Sequence, residues 1–111
     1  MQTIDREKLR SWLQEGRKLT LVEVLDKEQF DQFHLPGAIN VPLGGENFEE
    51  RFERAVPDKT EPVVVYCANT ECDASPRAAR KLEAYGYQDV RDYEAGKADW
   101  KKAGLPIEEA A

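Results

Sequence analysis

The chain has 111 residues, of which 41% are hydrophobic and 34% are charged, and its formal net charge is −6. This length suits one domain, expected to span residues 1–111, and the grouped apolar residues exclude a disordered chain. The sixteen basic residues form no cluster, so the negative net charge disfavours binding to nucleic acid or to an anionic membrane surface.

Targeting and spanning segments are not evident in the sequence. No apolar stretch approaches the ~20 residues that cross a bilayer. The N-terminal residues MQTIDREKLRSWLQEG are charged and lack the apolar segment of a signal peptide. Two cysteines are too few for a disulfide framework. We therefore expect a cytoplasmic protein with reduced thiols.

The first third of the chain predicts a helix, a buried strand and a second helix. A helix over residues 4–15 is expected because four apolar residues fall on one stripe: Ile4, Leu9, Trp12 and Leu13. The run LTLVEVL, residues 19–25, is apolar on both faces, which predicts a buried parallel strand. The following DKEQFDQF predicts a short helix with Asp26 as its N-cap and with Phe30 and Phe33 on one side.

The remainder alternates in the same way. HLPGAINVPL predicts an extended segment between two turns, FEERFERA predicts a helix, and VVVY, residues 63–66, gives the strongest strand pattern. Ser75 as N-cap and Pro76 at the first helical position predict a helix over residues 75–85. DVRDYE predicts a last strand, and AGKADWKKAG a last helix that carries Trp100. This alternation indicates an α/β domain with a mainly parallel sheet.

Cys67 follows the strand VVVY directly and lies eight residues before Ser75. In a parallel sheet, ligands bind beyond the carboxyl ends of the strands, where loops lead into helix N-termini. Inward-facing N–H groups of the loop ANTECDA and the positive end of the helix would form an anion site and lower the pKa of the thiol. A cysteine at the end of an apolar strand is equally often an inert core residue, so spacing alone leaves both roles open.

Three segments together resemble the rhodanese (sulfurtransferase) family over residues 18–108. The first half of the family is resembled by LTLVEVLDKEQFDQFHLPGAINVPL. Its central strand, catalytic-cysteine loop and following helix are resembled by VVVYCANTECDASPRAARKLEAYGY. Its closing motif is resembled by DYEAGKADWKKAGLPIE. The resemblance implies a three-layer domain with a five-stranded, mostly parallel sheet and helices on both faces. It also implies no cofactor.

The chemistry that the resemblance implies is sulfur transfer. A catalytic cysteine takes sulfur from a small donor such as thiosulfate, becomes a persulfide, and passes the sulfur to cyanide or to a small or protein thiol. Carried onto this chain, the nucleophile is Cys67. The backbone amides of the anion-binding loop would be those of Ala68, Asn69, Thr70, Glu71, Cys72 and Asp73.

The loop departs from the family pattern, which is shorter and often ends in an arginine before a serine. Here Cys72 or Asp73 stands in the place of that arginine, and Glu71 adds a second carboxylate. Arg77 lies within the first turn of the predicted helix. Carboxylates beside the cysteine repel thiosulfate and oppose thiolate formation, so we expect weak turnover of thiosulfate.

Positions outside the loop also differ. Glu23 stands where the family has an aspartate, and Leu25 stands where it has the paired arginine. Because that pair is mainly structural, its loss is expected to weaken the resemblance little. Phe33 and Ala95 each replace a glycine.

Other site types fit less well. The chain also resembles dual-specificity phosphatases of the cell-cycle type and arsenate reductases, which use a loop of Cys, five residues and Arg, but the sixth residue after Cys67 is Asp73. Two cysteines and a distant His34 supply no metal site. His34 is expected to bond to backbone in the Pro-Gly turn.

Two functions remain at this point. The first is a sulfurtransferase that carries sulfur on Cys67. The second is a non-catalytic rhodanese-like module that binds a partner or senses oxidants, with Cys72 as a resolving thiol that closes a disulfide onto Cys67. A lowered pKa of Cys67 favours catalysis, and an ordinary pKa near ~8.5 favours the module.

Overall fold

A computed structural model describes residues 2–110 as ten elements around one sheet. The five strands are β1 (Gln2–Thr3), β2 (Thr20–Glu23), β3 (Ile39–Asn40), β4 (Val63–Tyr66) and β5 (Val90–Tyr93). The five helices are α1 (Arg6–Gln14), α2 (Lys27–Gln32), α3 (Phe48–Ala55), α4 (Ala74–Ala84) and α5 (Gly96–Lys102).

The strands lie in the order β1-β5-β4-β2-β3, and every pairing between them is parallel. The all-apolar β4 occupies the centre of this order and is buried along its whole length, as expected for a strand covered on both faces. The predicted α/β fold with a five-stranded parallel sheet is therefore confirmed.

Side chains of β4 alternate between two apolar clusters, one on each face of the sheet. Val63 and Val65 pack with residues of α3 and α4, such as Phe52 and Leu82. The opposite face packs against α1 and α5 through a second group of buried residues: Leu9, Trp12, Val64, Tyr66, Tyr93 and Trp100. These two clusters are the interfaces of the predicted three layers.

The structure corrects several element bounds. The strand Gln2–Thr3 was not predicted, because two residues carry no readable pattern. Ile4 precedes α1, whose N-cap is Asp5 with its side chain accepting from the amide of Lys8. Phe33 is extended and lies beyond the end of α2 rather than on its face.

The start of α4 was also predicted wrongly. This helix begins at Ala74 with Asp73 in the N-cap position, so Ser75 lies inside the first turn and does not cap it. The reason is that Ser75 is buried and makes its contacts with the thiol of Cys67 instead.

Candidate active site

Cys67 lies at the carboxyl end of β4, facing the first turn of α4, and is 1% exposed. Its Sγ atom accepts a hydrogen bond of 3.4 Å from the backbone N–H of Ser75. The thiol lies within donating distance of the Ser75 hydroxyl at 3.4 Å and of the Cys72 carbonyl at 3.5 Å. The sulfur is thus held between the loop and the N-terminal turn of a helix, as the sequence predicted.

The pKa of this thiol contradicts the prediction that the loop lowers it. The pKa of Cys67 is raised to about 11, chiefly by burial and secondly by hydrogen bonding with Cys72, whereas the hydrogen bonds with Ser75 oppose the rise. The desolvation of the sulfur outweighs the donors of the helix N-terminus. The protonated thiol is therefore the favoured form of Cys67 at neutral pH.

Two amides of the predicted cradle, residues 68–73, are already bonded within the loop. The Glu71 amide donates to the Asn69 side-chain oxygen at 3.0 Å, and the Cys72 amide donates to the Asn69 carbonyl at 3.1 Å. The amide that reaches the sulfur belongs to Ser75, outside the predicted set. An anion cradle from residues 68–73 stays a prediction.

The acidic side chains of the loop point to solvent. Glu71 and Asp73 are both exposed, and the Asp73 carboxylate pairs at 3.8 Å with Arg77. Water therefore screens their repulsion of an anion at Cys67. Arg77 stays on the surface with Asp73 rather than in the place of the family's arginine.

The backbone of Cys67 and Ala68 is fixed by the start of α5. The amides of Lys97 and Ala98 donate to the carbonyls of Cys67 and Ala68 at 3.0 and 2.9 Å. Gly96, with a φ of +74°, packs so closely that a Cβ atom there would lie 2.6 Å from the Ala68 carbonyl carbon. Glycine is thus required at 96, whereas Ala95 is tolerated in the preceding position.

Sequence reasoning missed two buried polar residues near this site. Lys97 is buried beside Glu23, and Asp92 of β5 is buried on the α4 side of the sheet. A glutamate inside the apolar run LTLVEVL signalled that an opposite charge lay nearby. Asp92 gave no such signal, because alternating polar residues are ordinary in strands.

The other predicted features lie away from Cys67. Nδ1 of His34 lies 2.8 Å from the Phe30 carbonyl, so His34 contacts backbone as expected, but the carbonyl belongs to α2 rather than to the Pro-Gly turn. No group of three or more candidate metal ligands occurs in the part of the chain that the structure describes. None of the helices found between residues 2 and 110 has the length and apolar character that a bilayer crossing requires.

Comparison with known proteins places these features in a family context. The family model described as "Rhodanese-like domain" matches residues 5–103. The chain is 33% identical over 97 residues to the "HTH-type transcriptional regulator Rv0324" of Mycobacterium tuberculosis, covering 87% of this chain and 41% of that protein. It is 34% identical over 104 residues to the same organism's "Probable adenylyltransferase/sulfurtransferase MoeZ", covering 94% of this chain and 26% of that protein.

The chain is also 39% identical over 71 residues to the "Thiosulfate sulfurtransferase PspE" of Escherichia coli, covering 64% of each chain. Among solved structures, the thiosulfate sulfurtransferase from Pseudomonas aeruginosa superposes with a TM-score of 0.85 at 30% identity, covering 100% of this chain and 20% of that one. The chain therefore spans less than two thirds of the length of each of these relatives.

Proposed function

Since this chain belongs to the rhodanese-like domain family, we propose that it is a sulfurtransferase that carries sulfane sulfur as a persulfide on Cys67. Relatives named as sulfurtransferases support sulfur transfer as its general chemistry. The observation that carries the proposal is the position of Cys67, whose sulfur accepts the Ser75 N–H at the start of α4. A negative charge on either a thiolate or a persulfide is stabilised by that amide and by the helix N-terminus.

The raised pKa of Cys67 sets the conditions for this chemistry. The thiolate attacks the sulfane sulfur of the donor, so loading is slow at neutral pH and accelerates as pH rises toward the pKa of about 11. The donor anion meets no buried carboxylate in the loop, since Glu71 and Asp73 are exposed. A small sulfur donor, thiosulfate or a persulfide, and a small or protein thiol acceptor are the expected partners.

Intact mass spectrometry tests this proposal. The wild type, Cys67→Ser and Cys72→Ser are incubated in parallel with thiosulfate and with a low-molecular-weight persulfide. We expect the wild type and Cys72→Ser to gain one sulfur, about 32 Da, and Cys67→Ser to gain none. No gain in a folded, reduced wild type with either donor would refute the proposal.

A second function is favoured by the contact between the two cysteines. The Cys72 carbonyl lies 3.5 Å from the sulfur of Cys67, and the Cys72 side chain raises the pKa of Cys67, so the two residues are neighbours in the folded loop. Both cysteines are free thiols in this structure. A reversible loss of two mass units under mild oxidant, abolished in Cys72→Ser, would support a redox module. Its absence would leave sulfur transfer alone.

A further inference from the structure

The sulfur that the proposed reaction needs is closed off from solvent. Cys67 is 1% exposed, and it lines neither of the two cavities that border the loop following it. A donor must bring its sulfane sulfur to within about 3–3.5 Å of the attacking atom before a bond forms. Some part of the protein must therefore move before Cys67 reacts.

Cys72 and Ser75 both contact the thiol, and they differ in how firmly they are held. Ser75 is buried in the first turn of α4, a helix whose Ala78, Ala79 and Leu82 are buried in the core. Cys72 belongs to the loop before that helix and is only partly buried, with its carbonyl 3.5 Å from the Sγ atom of Cys67. Moving Ser75 would unpack α4 from the sheet, whereas moving Cys72 displaces only a loop.

Two anchors limit the part of the loop that is able to move. On the strand side, the amide of Ala98 donates to the Ala68 carbonyl at 2.9 Å, and a Cβ atom at Gly96 would lie only 2.7 Å from the Asn69 nitrogen. On the helix side, the Asp73 carbonyl accepts the amide of Arg77 at 3.2 Å, within α4. The segment between these anchors comprises residues 69–73.

This segment is held by short-range bonds to one residue, Asn69. Its side-chain oxygen accepts the Glu71 amide at 3.0 Å, and its carbonyl accepts the Cys72 amide at 3.1 Å. The side chains of Asn69, Thr70 and Glu71 are exposed, and Thr70 borders open cavities of about 500 and 200 Å³. A segment with few buried contacts and open space beside it opens at a low cost in free energy.

We propose that residues 69–73 form a lid that covers Cys67 and must open before a sulfur donor reaches the thiol, and that Asn69 holds this lid closed. Opening carries Cys72 away from the sulfur, while Ser75 stays in α4 and keeps its N–H on the sulfur. The consequence for sulfur loading rests on the proposed function, whereas the opening itself is measurable with any thiol reagent.

The variant Asn69→Ala tests the lid. It removes the acceptor of the Glu71 amide but keeps the backbone carbonyl that accepts the Cys72 amide. Hydrogen exchange of the Cys72 amide, followed by NMR, therefore reports how often the lid opens rather than the loss of its own bond. We expect this exchange to become about fivefold faster, as for one lost hydrogen bond. Alkylation of Cys67 by iodoacetamide, quantified in its own peptide at one pH, increases by the same factor.

Asp58→Ala is the matched control, because it removes a bond of the same spacing in another loop. The Asp58 carboxylate accepts the amide of Thr60 at 2.9 Å, just before β4 and thus at the opposite end of that strand from Cys67. We expect this variant to keep the wild-type rates of Cys72 exchange and Cys67 alkylation. The amide of Leu82, inside α4, exchanges at the wild-type rate in both variants when the opening is local.

The two rates together decide the inference. Faster exchange at Cys72 without faster alkylation of Cys67 would show that the segment moves but does not cover the sulfur. Faster alkylation without faster exchange would trace the change to the acidity of the thiol. Unchanged rates in Asn69→Ala would show that Asn69 does not hold a lid. Each of these three results would overturn the inference.

Sulfur loading separates the lid from the proposed function. Uptake of one sulfur from thiosulfate or from a small persulfide is followed by intact mass in the wild type, Asn69→Ala and Asp58→Ala. We expect loading to be about fivefold faster in Asn69→Ala alone. Loading at the same rate in all three proteins would overturn the lid and leave the proposed function intact. Exchange and alkylation that follow the lid in a protein that never gains sulfur would refute the proposed function and leave the lid standing.

Discussion

The ammonium of Lys97 lies 3.0 Å from the carboxylate of Glu23, and both side chains are almost fully buried. The remaining donors of Lys97 reach the carbonyls of Gln29 and Phe33, each at 2.8 Å. Since the Lys97 amide also holds the Cys67 carbonyl, this one residue ties β2 and the segment after α2 to the active-site backbone. Glu23 and Lys97 thus form a structural ion pair in a protein that lacks the family's Asp and Arg at their usual positions.

Breaking this pair on one side is expected to destabilise the fold strongly. Lys97→Met leaves Glu23 buried without its counter-charge, which costs about 3–5 kcal/mol in the free energy of unfolding. The double variant Glu23→Leu/Lys97→Met removes both charges and recovers most of that loss. Urea denaturation of the three proteins measures both effects, and equal stability of Lys97→Met and the wild type would contradict this account of the pair.

Gly96 and Gly104 provide a matched comparison, because their φ angles are +74° and +77° but their surroundings differ. A Cβ atom at Gly104 meets nothing within 4 Å, so Gly104→Ala is destabilised only by backbone strain of about 1–2 kcal/mol. A Cβ atom at Gly96 collides with the backbone of Ala68. Gly96→Ala is therefore expected to lose roughly 1–3 kcal/mol more, the typical cost of overpacking. Equal losses in chemical denaturation would argue against the close approach.

The two residues that contact the Cys67 thiol are expected to change its reactivity in opposite directions. Hydrogen bonds from Ser75 lower the pKa of Cys67, so Ser75→Ala raises it and slows alkylation at pH 8. The contact with Cys72 raises the pKa, so Cys72→Ala lowers it and accelerates alkylation. Iodoacetamide labelling of the Cys67 peptide across a pH series measures both. Ser11→Ala, on α1 at the other face of the sheet, serves as a control with an unchanged rate.

Asp92 is expected to make the protein less stable as pH rises. Burial raises its pKa above the ordinary value of 3.8, so the folded state keeps a proton that the unfolded chain has already lost. Between those two pKa values the folded state binds more protons, and the free energy of unfolding therefore falls with increasing pH. Above the folded pKa the full penalty of the buried charge applies.

Asp92→Asn removes that contribution. We expect its stability at pH 7 to exceed that of the wild type by roughly 1–3 kcal/mol, the usual cost of a buried group without partners. In Asp92→Asn the free energy of unfolding declines less steeply above about pH 4, whereas in the control Asp89→Asn, which removes a carboxylate paired with Arg91, it follows the wild-type pH dependence. Thermal or urea unfolding at a series of pH values decides this, and a wild-type profile for Asp92→Asn would contradict a buried ionised carboxylate.

The sequence predicted those parts of the structure that depend on local pattern. VVVY at residues 63–66 gave the central strand with correct bounds, and Cys67 was expected at the carboxyl end of the sheet. Side-chain partners across the sheet were not predictable in this way. Whether Ser75 capped its helix or contacted Cys67 depended on how closely the loop approached the strand, and the partner of Glu23 was 74 residues away in Lys97.

The pKa of Cys67 could not be predicted for a related reason. Proximity to a helix N-terminus is visible in the sequence, whereas the burial that outweighs it depends on how the 68–73 loop folds over the sulfur. Exposure of Glu71 and Asp73 follows from the same loop conformation. The family motif locates these carboxylates in the loop, but it does not indicate whether their side chains face the sulfur or the solvent.

The pairing of β1 with β5 joins the first and the last strand in chain order. Gln2 lies opposite Arg91, so β1 can form its hydrogen bonds only after β5 is in place. Closing such a long connection is entropically costly until β2, β4 and β5 have already docked. We therefore expect the amide of Ile4, which donates to the Asp92 carbonyl at 3.0 Å, to acquire protection from hydrogen exchange late during refolding. We expect the β1 edge of the sheet to be completed after its centre.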